Sequence, residues 1–398
     1  MRFATLCSLL VISCGSATQP ASPPRAPRAD DAAVAVAHLR AGRFVDADHE
    51  ATLVLARDPA SSRAAAVRAI ASYVRAAEAF ADEVAVLDHA GAGDAFTNPR
   101  GREAWQTFGS RLAAIDRDLA VVAADPDFSL ELCIACWDHD WNHNGTIDDG
   151  DRKLLEIEVD DHGDDLPDGD ARRRPTFRFD RGDADWARAM VAFQRAVSEL
   201  VLAYRWDALD RLFSSDGRVV IRLEDAGRVR HARELVVAGL GFADRCRAEY
   251  LAETDDDREW VPSPRQHSHP IPLAVDNALY DTWASFTGDV RRLLASDDGL
   301  SLREVAAEVD RDLVHELPDA YIDVGRMFRE PTDIVLDLGH GKDSPDSYER
   351  VLRGLLGNGY RDHMRASPLV SRLARIKRDV DRGDETASKK LRYLMWLN

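Results

Sequence analysis

The feature that most restricts this chain is the stretch from Asp183 to Phe213, where Trp186, Met190, Phe193, Val197, Leu200 and Val201 recur at steps of one, three or four residues. Such spacing lays apolar side chains along one helix face, whereas a half-buried strand would alternate. A long helix with one buried stripe is expected there. Helical spacing also covers 31–88, Glu103–Ala124, Ala226–Ala252, Leu273–Leu294, Ser301–Leu313, Leu369–Asp381 and Glu385–Leu397. Strand signals are confined to Gly217–Leu223 and Asp333–Leu338. A parallel sheet needs strands alternating with helices throughout, so the expectation is an all-α body, mainly helical, with minor short strands.

The polar, Pro-rich segment 254–272 is the best internal boundary. It separates a helical domain over 31–253 from a C-terminal helical region over 273–398, either as two bodies or sharing one core. Hydrophobic residues make up 45% of the chain, enough for a sizeable core, and the net charge of −18 argues against nucleic acid as a partner. Three of the five cysteines, Cys133, Cys136 and Cys246, fall in this body. They do not make a disulfide framework. Cys133 and Cys136 are close enough for a bridge and are read as a core or bridged pair, with Cys246 left over and buried.

The N-terminus carries a second constraint. Arg2 is followed by a short apolar run, Ala4–Ile12, and then by Val11-Ile12-Ser13-Cys14. The run is shorter than the roughly 20 apolar residues of a permanent span and reads as a cleaved leader, residues 1–13. The cleavage region resembles the bacterial lipobox. The resemblance implies lipid on Cys14, which becomes the mature N-terminus of a lipoprotein held at the cell envelope, with the outer membrane or periplasmic face favoured. Residues 14–30, rich in Ser, Ala, Pro and Arg, suit a flexible tether.

Two further stretches resemble known motifs. Gly42, Phe44, Ala47, Leu55, Asp58 and Pro59 fall at the spacing of a single tetratricopeptide unit. Gly42 allows a tight helix–helix turn, Ala47 close packing, and Pro59 ends the second helix. One copy cannot form a solenoid groove; the resemblance hints at a protein partner in the envelope.

The strongest motif is DWNHNGTIDDGD over 140–151. Calcium takes about six to eight oxygens, and an EF-hand loop supplies them from alternating positions around a sharp glycine turn. Here Asp140, Asn142, Asn144, Thr146 (through its carbonyl), Asp148 and Asp151 occupy the ligand positions, Gly145 the turn and Ile147 the apolar anchor. The segment resembles EF-hand and dockerin-type calcium loops, closer to the latter in ending on Asp. That implies one Ca2+, and the shortage of carboxylates implies weak binding, on the order of 10⁻⁴ to 10⁻³ M. Trp141 and Arg152 depart from the EF-hand pattern. An exit helix is expected over Asp149–Glu158.

The remaining signals are weaker. His139 and His143 follow Cys133 and Cys136 too closely for a zinc finger. His267 and His269 lie in the Pro-rich segment, and Gly339–Asp343 lacks the residues of a phosphate loop. Arg181-Gly182-Asp183 is a chance tripeptide in a chain rich in Arg and Asp. No H-E-x-x-H, G-x-S-x-G or S-x-x-K motif occurs, so no catalytic residue is assigned. The expected function is a membrane-anchored, calcium-binding lipoprotein with a structural or binding role. The alternative is an envelope hydrolase, acting on glycan or peptide, whose catalytic residues no motif reveals.

Overall fold

The computed structural model describes residues 31–88, 98–160, 164–208, 218–254, 258–266, 276–309, 314–337 and 345–382. The leader and tether with Cys14, His267 and His269, Gly339–Asp343 and the helix expected over Glu385–Leu397 lie outside the described residues.

The N-terminal region forms α1 (Ala33–Arg40), α2 (Phe44–Arg57), α3 (Ser62–Asp88) and α4 (Pro99–Ala123). The turn between α1 and α2 is made at Gly42, with φ +70°. Ala47 and Ala51 are fully buried, so α2 lies close against its neighbours. α2 ends at Arg57, before Pro59. The central part is β1 (Leu130–Leu132), a 3-10 turn at Ile134–Cys136, α5 (Asp149–Lys153), β2 (Phe177–Phe179), α6 (Arg181–Ala203), β3 (Tyr204–Arg205), β4 (Arg218–Leu223) and α7 (Ala226–Ala252). After it come α8 (Asn277–Ala295), β5 (Leu300–Ser301), α9 (Leu302–Val309), β6 (Tyr321–Ile322), α10 (Val324–Arg329), β7 (Ile334–Asp337), α11 (Pro345–Leu356), β8 (Tyr360–Arg361) and α12 (Pro368–Asp381). The fold is mainly helical, with antiparallel pairs β1-β2, β3-β4-β7 and β5-β6-β8 among the described residues.

The helices pack in sequence: α2 on α3, α3 on α4, α4 on α6, and α6 on α7. α6 is therefore covered on two sides, and this corrects the single stripe read from the sequence. Ala189, Phe193 and Ala196 face α7 and α8 with Val229, Ala232 and Val290, whereas Val191 joins Phe108, Leu112 and Ile115 of α4. Val197 falls between these faces and is 42% exposed. The helix also ends ten residues before Phe213: from Tyr204 the backbone pairs with Leu223 and Arg222 instead. α6 starts on a capping box in which Asp180 accepts N–H bonds from Gly182 and Asp183 while Asp183 accepts from Asp180.

Residues 259–263 of the Pro-rich segment form a largely buried loop, flanked by the exposed Arg258 and Arg265. Val261 joins Phe177, Tyr250 and Tyr280 in one apolar cluster, and the Tyr280 hydroxyl donates to the Pro262 carbonyl. Elements on both sides of the segment thus share packing. No helix among the described residues is long and apolar enough to cross a membrane.

Candidate metal site

The loop over 140–151 follows β1 and the 3-10 turn, not a helix. Cys133 and Cys136 are joined by a disulfide across that turn, and Cys246 is a free, buried cysteine. The flanks are therefore not a helix–loop–helix pair, and the exit helix is shorter than expected, ending at Lys153. The segment is seated on the N-terminal hairpin. Phe44 meets Trp137 edge to face at 5.1 Å and His139 at 4.9 Å. A Cβ on Gly42 would stand 3.1 Å from the Asp138 nitrogen, so the α1–α2 turn presses directly on the segment leading into the loop.

Within the loop, side-chain oxygens accept backbone N–H groups in a ladder. Asp140 accepts from Asn144 and Gly145, Asn142 from Asn144, and Asn144 from Thr146. Gly145 has φ +86°, the conformation that glycine adopts without a Cβ penalty. Asp148 caps α5 by accepting from Gly150 and Asp151. Backbone N–H groups of Asp151 and Gly150, helped by the Asn144 amide, hold the Asp148 carboxyl below the usual carboxylate range.

Asp151 behaves differently from its neighbours. It is buried, and its carboxylate accepts from the backbone of Trp141, Asn142 and Asp148. It fastens the two ends of the loop together, while Asn142, Asn144, Thr146 and Asp148 remain exposed and Asp140 half-buried.

Two groups of three or more His, Cys, Asp or Glu residues have ligand atoms all within 4.8 Å of one another among the described residues. One is Glu78, His139 and His143; the other is Asp180, Glu253 and Glu259. Neither was legible in the sequence, because each joins residues far apart in the chain. His139 and His143 were noted, but as neighbours of the cysteines; the disulfide removes those thiols, and α3 supplies the partner instead. In the second group Glu259 pairs with Arg178, and the Glu253 carboxyl is pushed up to about 10, first by burial and then by the Asp180 carboxyl. A cleft of about 440 Å³ lies elsewhere, lined by Arg326, Arg329, Arg361, Arg365, Asp323 and Glu330 among others. Arg181-Gly182-Asp183 is the start of α6, with Arg181 paired to Glu249 and Asp183 buried.

No family model matches the chain, and neither a curated protein nor a solved structure matches it.

Proposed function

We propose that this chain is a calcium-binding lipoprotein of the bacterial cell envelope, anchored through lipid on Cys14, with a structural or partner-binding role. The observation that supports calcium is the ladder of N–H bonds onto Asp140, Asn142 and Asn144 around Gly145. It holds the loop in a tight turn that gathers side-chain oxygens, the ligand type a hard cation takes. The Cys133–Cys136 disulfide fits an exported chain. The test is calorimetric titration of the full chain, in detergent, with calcium, beside Asp140→Ala and Asn142→Ala variants. Saturable binding lost in the variants supports the reading; a flat titration of the wild type at millimolar calcium defeats it. Lipidation has its own test: Cys14→Ala should release the protein from the membrane fraction.

The hydrolase alternative has one feature in its favour, the cleft around Asp323. Two of its three carboxylates are engaged, however: Glu330 by Arg326, and Asp323 by the Ser296 hydroxyl and the Arg326 N–H. Hydrolysis of a cell-wall glycan or peptide that is lost on Asp323→Asn would move the assignment to this reading.

A further inference from the structure

We infer that Glu78, His139 and His143 form a binding site for a divalent transition metal of the zinc class, which draws His143 from the calcium loop but none of the loop's oxygen ligands. Glu78 and Asp82 stand one turn apart on α3 and face the same side. His139 and His143 reach them from the loop segment. The Glu78 carboxylate is in direct contact with His139 Nε2, and its Oε1 lies 3.7 Å from His143 Nε2. Donor atoms around a tetrahedral zinc, each at about 2.0–2.2 Å, stand about 3.4 Å from one another. The three side chains therefore need only small rotations to share one ion.

The surroundings of His143 give the argument its direction. Asp82 Oδ2 lies 3.2 Å from His143 Nδ1, on one side of the ring, and Glu78 Oε1 lies 3.7 Å from Nε2 on the other. The second separation is longer than a hydrogen bond and close to the spacing of two donors on one zinc ion. Metal-ligating histidines characteristically give their other ring nitrogen to a carboxylate, which is the position Asp82 occupies. The His139 ring is fixed as well, packed edge-on against Phe44 and Trp141 at 4.9 and 4.7 Å.

Two imidazoles and a carboxylate suit zinc and its first-row neighbours better than calcium, which takes oxygen alone. Three protein ligands leave the fourth tetrahedral position to water or to an incoming group. The inference uses none of the oxygen ligands assigned to calcium: His143 lies within the 140–151 loop, but Glu78 and Asp82 belong to α3.

The test is zinc titration of the full chain in detergent, with calcium held in excess so that the loop is not the site being read. Cobalt would replace zinc in a parallel experiment, because its visible spectrum reports tetrahedral coordination. Glu78→Gln and His143→Asn remove a ligand each, and asparagine tolerates the left-handed backbone of position 143, where φ is +55°. Asp82→Asn removes only the outer partner. The expected result is one saturable site in the wild type, lost in Glu78→Gln and His143→Asn, and weakened by about 10- to 100-fold in Asp82→Asn. Melting in chelator should be similar in all four proteins, showing that the variants fold. Absence of binding in the wild type, or equal affinity in wild type and Glu78→Gln, would leave only a histidine–carboxylate ion pair and overturn the proposal. Calcium titration of Glu78→Gln separates the readings: it should match the wild type whether or not zinc binds.

Discussion

Asp151 separates two jobs that the sequence motif merges. Its carboxylate accepts N–H bonds from Trp141, Asn142 and Asp148 at a buried position. Removing it strands three partly buried backbone donors, which costs about 1–3 kcal/mol. Asp151→Ala should therefore lower stability by about that amount even without calcium, whereas Asn142→Ala, at an exposed position with one accepted N–H bond, should change the calcium-free melt far less and act mainly on calcium affinity. Urea unfolding of both variants in chelator checks this, and equal stability of the two would sink the clasp. A second residue, Gly239, lets α7 approach α6: a Cβ there would overlap the Phe193 ring. Alanine gains helix propensity of about 1 kcal/mol but overpacks this contact at a cost of about 1–3 kcal/mol. Gly239→Ala is expected to be a net loss on denaturant titration, and a gain would mean that Phe193 moves aside freely. The loop residues were readable because a calcium loop is a local object of twelve consecutive positions, Asp140 to Asp151. Glu78 was not, since nothing local ties it to a histidine 61 residues away. Nor could the sequence say that Asp151 turns inward onto the backbone.

At the scale of elements, helices with clear caps and periodicity were legible. α7 matches its expected span, and Asp225 caps it by accepting from Gly227 and Arg228. β4 and β7 emerged near their expected positions because they are apolar runs in a polar setting. The two-residue strands β3, β5, β6 and β8 were not, as pairs that short are set by tertiary placement. α10 and α11 were also missed. The ends of α6 and α7 meet in an acidic group that makes a pH prediction. Asp180 and Asp183 of the α6 start, Glu253 after α7 and Glu259 of the following loop converge, with Arg178 of β2 opposing them at Glu259. Burial raises the Asp183 carboxyl well above its ordinary range and pushes Glu253 up to about 10. A carboxyl raised in the folded state holds its proton when the unfolded chain has lost it. Its contribution is therefore whole below the unfolded value, near 4.5 for Glu253, and is lost as pH rises toward about 10. Glu253→Gln should flatten the fall in stability between about pH 5 and about pH 9 and leave the variant more stable at the upper end. Melting curves across that range decide it; parallel slopes for the two proteins would show that Glu253 is not the group responsible.

At the scale of the whole molecule, the hairpin, the loop and the long helices are mechanically joined. The α1–α2 turn bears on Asp138, Arg40 of α1 donates to the Glu131 carbonyl of β1, and β1 pairs with β2, which leads into α6. An ion bound in the 140–151 loop would therefore stabilise more than its own twelve residues. The chain also carries a net charge of −18, so any divalent ion will relieve some self-repulsion without occupying a site. The two effects differ in selectivity. For a dissociation constant of about 10⁻⁴ M, calcium at about 10 mM is in roughly 100-fold excess and contributes about 2.7 kcal/mol through mass action. In a chain of this size that is a rise of about 3 °C in melting temperature. Magnesium at the same concentration screens charge as well but dehydrates reluctantly and demands a stricter octahedron. Thermal melts of the full chain should therefore rise with calcium well beyond the rise with magnesium, and in Asp140→Ala the two ions should become equivalent. Equivalence already in the wild type would mean that the acidic surface, not the loop, responds to divalent ions.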